Sequence, residues 1–121
     1  MLNFNSILLF SQSPKELAEF YAKVFQTAPG WTQSDYSGWQ VGAGYFMVGP
    51  HDQVKGRNQN PERMMINYET NDVAGEFARI EALGTTVVAK PYHPGEEPEM
   101  WLATFADPDG NYFQLATPMK M

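Results

Sequence analysis

Asp107-Pro108-Asp109-Gly110-Asn111-Tyr112-Phe113-Gln114-Leu115 is the stretch on which the fold turns. Pro108 presets its φ for a tight turn, and Gly110 accepts the positive φ that such turns often need. Asp107 can hydrogen-bond forward into the turn backbone, so turn roles account for both Asp107 and Asp109 without any chemistry. Trp101-Leu102-Ala103-Thr104-Phe105 reads as a strand ahead of the turn, and Tyr112-Phe113-Gln114-Leu115 as a strand behind it. The stretch therefore predicts a hairpin.

Moving back from the hairpin, Pro91 to Pro98 is a proline-rich loop carrying Glu96 and Glu97. Thr85 to Ala89 is a β-branched strand. A helix carrying Val73, Phe77 and Ile80 starts at Asn71 or Asp72 and closes at Leu83-Gly84, with Gly84 as its cap. Met64 to Glu69 is a strand. The first half has the same order. Asn3 to Ser11 contains Ile7-Leu8-Leu9-Phe10, a run expected of a strand buried on both faces. Ser13-Pro14-Lys15-Glu16 has the form of a capping box with proline at the first helical position. Leu17, Phe20, Tyr21 and Val24 follow as one apolar stripe, and Pro29-Gly30 ends the element. Trp31 to Tyr36, Trp39 to Val41 and Tyr45 to Val48 read as three strands, with Gly38 marking a turn. Ser6 corresponds to Met65, and Phe25-Gln26 to Leu83-Gly84, so the chain is a duplication in element order.

The expected fold is α+β: two βαβββ modules forming a curved mixed sheet around a concave cleft, with the helices on the outer face. The 121 residues make one domain, with modules at about 1–50 and 62–121 and a polar linker at about 50–62. With 43% hydrophobic and 14% aromatic residues, the chain can build an ordered core. Fourteen acidic against eight basic residues give a formal charge of -6, which argues against nucleic acid and suits a cationic ligand or plain solubility. No apolar run approaches a membrane span, and no secretion signal is read at Met1-Leu2-Asn3-Phe4-Asn5. The absence of cysteine removes disulfides, thiolate metal sites and thiol nucleophiles together, and fits a cytoplasmic protein.

Phe105-x-Asp107-Pro108-Asp109-Gly110-Asn111-x-x-x-Leu115 resembles the vicinal oxygen chelate superfamily, which includes glyoxalase I, extradiol dioxygenases, fosfomycin-inactivating enzymes and bleomycin-binding resistance proteins. Phe20-Tyr21 in the first helix, Asp72-Val73 opening the second and Leu83-Gly84 closing it extend the resemblance over nearly the whole chain. It implies two modules and, in enzymes, one divalent metal held by His or Glu on inward strand positions. Carried over from these landmarks, the four positions fall on Ser6, Met47 (Phe46 if the register slips), Met65 and Gln114. None is His, Asp or Glu, and a Gln carbonyl alone is too weak to hold a catalytic metal. The resemblance is thus nearest to the metal-free bleomycin-resistance-like branch, and no cofactor is expected. His51, at the start of the linker, and His93, in the proline-rich loop, read as surface residues.

Alternation along the strands places Tyr45, Met47, Met65, Asn67, Glu69, Tyr112 and Gln114 toward the concavity, with Trp39 and Trp101 on or beside it. Trp31 has the same placement, although large aromatics also build cores. Methionines and aromatics adapt to flat ligands, and a few polar groups then set orientation. Glu69 has inward parity and can meet a cationic ligand, Arg63 or Arg57, or water. The expected function is metal-independent sequestration of a small aromatic compound, a cationic one included. The alternative is a glyoxalase- or dioxygenase-type enzyme, using a metal held elsewhere or acid–base work by Glu69 or Tyr45. The expected partners are that small molecule and a second copy of the chain as a homodimer, with neither nucleic acid nor membrane. The sequence names neither the ligand nor whether the modules pair within one chain or across a dimer.

Overall fold

The computed structural model describes residues 1–119. It divides into two units, Met1–Gly56 and a second from Arg57 on; the last two residues of the expected second module lie outside the described residues. The first unit runs β1 (Ser6–Ser11), α1 (Pro14–Phe25), β2 (Trp31–Gln33), β3 (Tyr36–Val41) and β4 (Gly44–Pro50). The second runs β5 (Ile66–Glu69), α2 (Val73–Glu81), β6 (Thr86–Tyr92), β7 (Leu102–Ala106) and β8 (Tyr112–Ala116), after a single 3-10 turn at Pro61–Arg63. Each unit is βαβββ, and each forms its own four-stranded mixed sheet. The orders are β1-β4-β3-β2 and β5-β8-β7-β6, with the first strand parallel to the last and the other pairs antiparallel. The fold is α+β.

The helices form because apolar residues recur at helical spacing and need a sheet to cover them. α1 buries Leu17, Tyr21 and Val24. Tyr21 and Phe25 pack on Phe46, and Phe25 also meets Trp39 edge-on. α2 buries Val73, Phe77 and Ile80, and the Phe77 ring stacks on Phe105 at 5.0 Å. Asp72 caps α2, its Oδ1 accepting from the Gly75 N–H at 2.9 Å. Gly84 takes a φ of +88° just beyond the helix end at Glu81.

The turn at 107–111 is built around one carboxylate. Asp107 is 3% exposed, and its Oδ1 accepts from the backbone N–H of Asp109 and of Asn111, each at 2.9 Å. The Asn111 carboxamide donates to both of its oxygens. Gly110 has φ +82°, and a side chain there would meet the Arg57 guanidinium at 3.0 Å.

Several local expectations are corrected. The capping box does not form: Ser13 makes no side-chain cap bond, and its N–H instead donates to Ser11 Oγ at 2.9 Å. α1 ends at Phe25, with Gln26 taking the left-handed conformation, where the correspondence with Leu83-Gly84 places the helix end; Pro29-Gly30 lies beyond it. β1 is an edge strand, and Leu8 is half exposed, so the apolar run is not covered on both faces. Trp31 to Tyr36 is not one strand. A hairpin turn at Ser34-Asp35, with Ser34 at φ +54°, splits it. Gly38 lies inside β3 rather than at a turn. β5 begins at Ile66, which leaves Met64 and Met65 ahead of it. β6 runs on through Pro91 to Tyr92, with register shifts along its pairing that fit an edge proline. β7 begins one residue after Trp101.

The linker is ordered rather than idle. Gly56 N–H donates to Gln12 Oε1 in the first unit. Arg57 and Asn58 lie on the 107–111 turn. Arg57 Nη1 donates to the Pro108 carbonyl at 3.1 Å, and Asn58 pairs with Asp109 and Asn111 through its backbone and its carboxamide.

Candidate functional site

Strand register decides which side chains share a face in each unit. In the first, Trp39 stands opposite Phe46 and both are buried on the α1 side. The other face carries two rows. One is Trp31, Gly38, Met47 and Leu8; the other is Gln40, Tyr45 and Ser6. Gly38 is the seat of the first row: a Cβ there would meet the Trp31 ring at 3.1 Å and Met47 Cγ at 3.3 Å. A glycine inside a strand marks this kind of close approach.

An open cavity of about 520 Å³ lies on this unit, lined by Asn5, Gly30, Trp31, Gly38, Trp39, Gln40, Tyr45 and Met47. Trp31 and Tyr45 leave nearly half of their surface free. None of the lining residues is charged. Of the expected residues, Trp39, Tyr45 and Met47 are brought together here, and Trp31 joins them. Trp39 is mainly a core residue, 3% exposed, with its indole N–H donated to the Thr27 carbonyl at 3.0 Å. Asn5, Gln40 and the two glycines escaped sequence reasoning. Gly38 had a signal, an isolated glycine among strand formers, whereas Asn5 lies outside any regular element.

In the second unit, Phe105 and Phe113 turn toward α2 and stack on each other, so Thr104 and Gln114 face the opposite side. Asn67 stands beside Gln114 in parallel register, and Glu69 beside Ala116. Gln114 Nε2 donates to Thr104 Oγ1 at 2.9 Å. Tyr112 pairs with Ala106 at the start of the same strand. Met65 sits before β5 and is 37% exposed, not on a strand position. Trp101 also lies off the strand: its N–H donates to Thr117 Oγ1, and its ring contacts His93 at 3.8 Å. Glu69 forms no ion pair among the described residues, and Arg57 is engaged on the turn.

None of the carried-over metal positions, Ser6, Met47, Met65 and Gln114, holds an anionic or imidazole donor. The non-helix face of β1 and β4 offers Ser6, Leu8, Phe10, Tyr45, Met47 and Gly49; that of β5 and β8 offers Asn67, Glu69, Tyr112, Gln114 and Ala116. Glu69 is the one acidic side chain among these. Among the described residues no three His, Asp or Glu side chains group where an ion could be held. A divalent metal needs several such donors, and these residues do not fit one. The histidines are exposed. His51 Nδ1 accepts from the Gln53 N–H, and His93 Nδ1 donates to the Met100 carbonyl. Burial pushes the Tyr68 hydroxyl well above the ordinary tyrosine range, and the Asp107 carboxylate adds to this, so Tyr68 stays neutral and is no base. No helix among the described residues is long and apolar enough to cross a membrane.

A glyoxalase-like domain model matches residues 6–116. No curated protein matches the chain in sequence at a significant level. Among solved structures, the chain is similar to a glyoxalase-related enzyme from Fulvimarina pelagi (TM-score 0.78, 19% identity, covering 98% of this chain and 89% of that one). It is also similar to a glyoxalase/bleomycin resistance protein from Albidiferax ferrireducens (0.72, 18%, 96% and 98%). A third likeness is to a glyoxalase/bleomycin resistance protein/dioxygenase family enzyme from Burkholderia phytofirmans (0.71, 16%, 98% and 100%). At these identities the structural likeness speaks for the fold alone.

Proposed function

Because the chain belongs to the glyoxalase-like domain family, we propose that it is a metal-independent binding protein that sequesters a small, flat aromatic molecule in the cavity of its first unit. The observation that carries this is the cavity lining. Trp31, Tyr45 and Met47 offer apolar, polarizable surface, and Asn5 and Gln40 supply neutral polar groups. Ring stacking on an exposed tryptophan suits such a ligand, and a cationic ring gains further from the aromatic faces. The cysteine-free sequence suits a cytoplasmic location.

Titration with neutral and cationic fused-ring aromatics is expected to quench tryptophan emission through Trp31. Met47→Glu sets an unpaired carboxylate in the cavity. It should weaken that binding by at least about 2 kcal/mol, roughly 30-fold. Elemental analysis of the dialysed protein should find no stoichiometric zinc, nickel, iron or manganese. Near one equivalent of tightly held metal, or quenching unchanged in Met47→Glu, would overturn the proposal.

We also propose that the chain pairs as a homodimer. Phe4 and Leu8, 83% and 50% exposed on and ahead of the edge strand β1, offer apolar surface and free backbone groups to a second copy. Sedimentation at tens of micromolar should return twice the 13.7 kDa chain mass; a monomer there would count against pairing.

A further inference from the structure

The face of the second unit that turns away from α2 carries a row of three neutral polar side chains on adjacent strands. Thr104 on β7 stands opposite Gln114 on β8, which stands beside Asn67 on β5. Thr104 is 3% exposed, so its hydroxyl is a fixed partner rather than a solvent group. Gln114 Nε2 donates to it at 2.9 Å. Because a carboxamide is planar, fixing its nitrogen on Thr104 also fixes Oε1 as an acceptor directed elsewhere. Asn67 is exposed, and on the neighbouring strand, about 4.8 Å away, it adds a second carboxamide with two N–H donors and an acceptor.

We infer that Asn67 and Gln114, with Thr104 as the positioning residue, form a hydrogen-bonding subsite for a neutral carboxamide or lactam edge. Gln114 Oε1 accepts the ligand N–H while Asn67 Nδ2 donates to the ligand carbonyl. Such an edge presents its donor and acceptor side by side, matching two neighbouring amides. A carboxylate would turn an anionic oxygen toward Gln114 Oε1. An ammonium would offer the Asn67 N–H no acceptor, leaving it to water. Asn67 is open to water and pays little for a mismatch, so discrimination falls on the repulsion between an anionic oxygen and the fixed Gln114 Oε1. The inference rests on the proposed binding role but is carried by the second unit alone. It goes beyond aromatic stacking by specifying a neutral amide.

The test uses the full chain, isotopically labelled, with benzamide, benzoate and toluene as probes and the side-chain NH₂ resonances of Asn67 and Gln114 as the readout. Benzamide is expected to shift both resonances saturably in the millimolar range, with benzoate at least tenfold weaker and toluene leaving them unmoved. Gln114→Met, which removes the acceptor, and Asn67→Asp, which removes the donor, should each weaken benzamide at least tenfold. Thr104→Val should weaken it several-fold, while Thr104→Ser restores it. Backbone spectra report whether each variant keeps the fold. Equal response to benzamide and benzoate, or unchanged affinity in both amide variants, overturns the subsite. If all three probes quench Trp31 and leave the Asn67 and Gln114 resonances unmoved, the subsite falls while the aromatic cavity of the first unit stands.

Discussion

Phe105→Ala is expected to lower the unfolding free energy by about 3–5 kcal/mol, the range for deleting a large aromatic side chain from a packed core. Phe105 has no exposed surface. Its ring lies between Phe77 of α2, at 5.0 Å and 21°, and Phe113 of β8, at 5.6 Å and 30°. Its loss therefore removes one of the contacts that couple helix to sheet as well as its own transfer energy. Backbone hydrogen bonds on both sides of β7 hold the strand in place, so the cavity cannot readily collapse. Against a total stability of about 5–15 kcal/mol, this is a large fraction. Urea unfolding followed by circular dichroism measures it, and a midpoint close to the parent's would show that the stack contributes little.

Asp107→Ala is expected to cost about 3 kcal/mol. The carboxylate accepts two backbone N–H bonds and the Asn111 carboxamide, and bonds to a charged acceptor are the stronger kind. Alanine leaves those donors without their acceptor in a site that is nearly closed to water. Asp107→Asn keeps one carbonyl oxygen for the two N–H groups and loses the charge, so it should fall between parent and alanine. The same urea series checks the order. An asparagine variant as unstable as the alanine one would mean that charge, and not the geometry of one oxygen, holds the turn. Removing the Asp107 charge also takes away one of the two causes that raise the Tyr68 hydroxyl, leaving burial as the other.

The turn and the duplicated element order were readable because each rests on local chemistry: proline and glycine at fixed turn positions, and apolar residues at helical spacing. Side-chain parity is readable too at positions that lie inside a strand. Tyr45, Met47, Asn67 and Gln114 all lie on the face away from the helix, as alternation requires. Parity failed where a boundary was wrong. With Gly38 taken as a turn, the pairing of Trp31 with Gly38 and of Trp39 with Phe46 was invisible, so the core role of Trp39 was missed. The true turn uses Ser34 at positive φ, a residue with no strong signal for that conformation. Met65 was lost because β5 starts later than its apolar pattern suggests. The lining by Asn5 depends on where an irregular segment lies, and no local propensity encodes that.

The docking of Arg57 and Asn58 on the 107–111 turn also bears on the order in which the chain sets. The hairpin of β7 and β8 closes between near neighbours, whereas Arg57 to Pro108 and Asn58 to Asn111 join residues 51 and 53 positions apart. Closing a longer loop costs more entropy, and distant pairs follow local ones. The turn can therefore nucleate early, but its outer layer waits until the whole second half has come round. In folding time the residues that open the second unit are among the last to find their places in it.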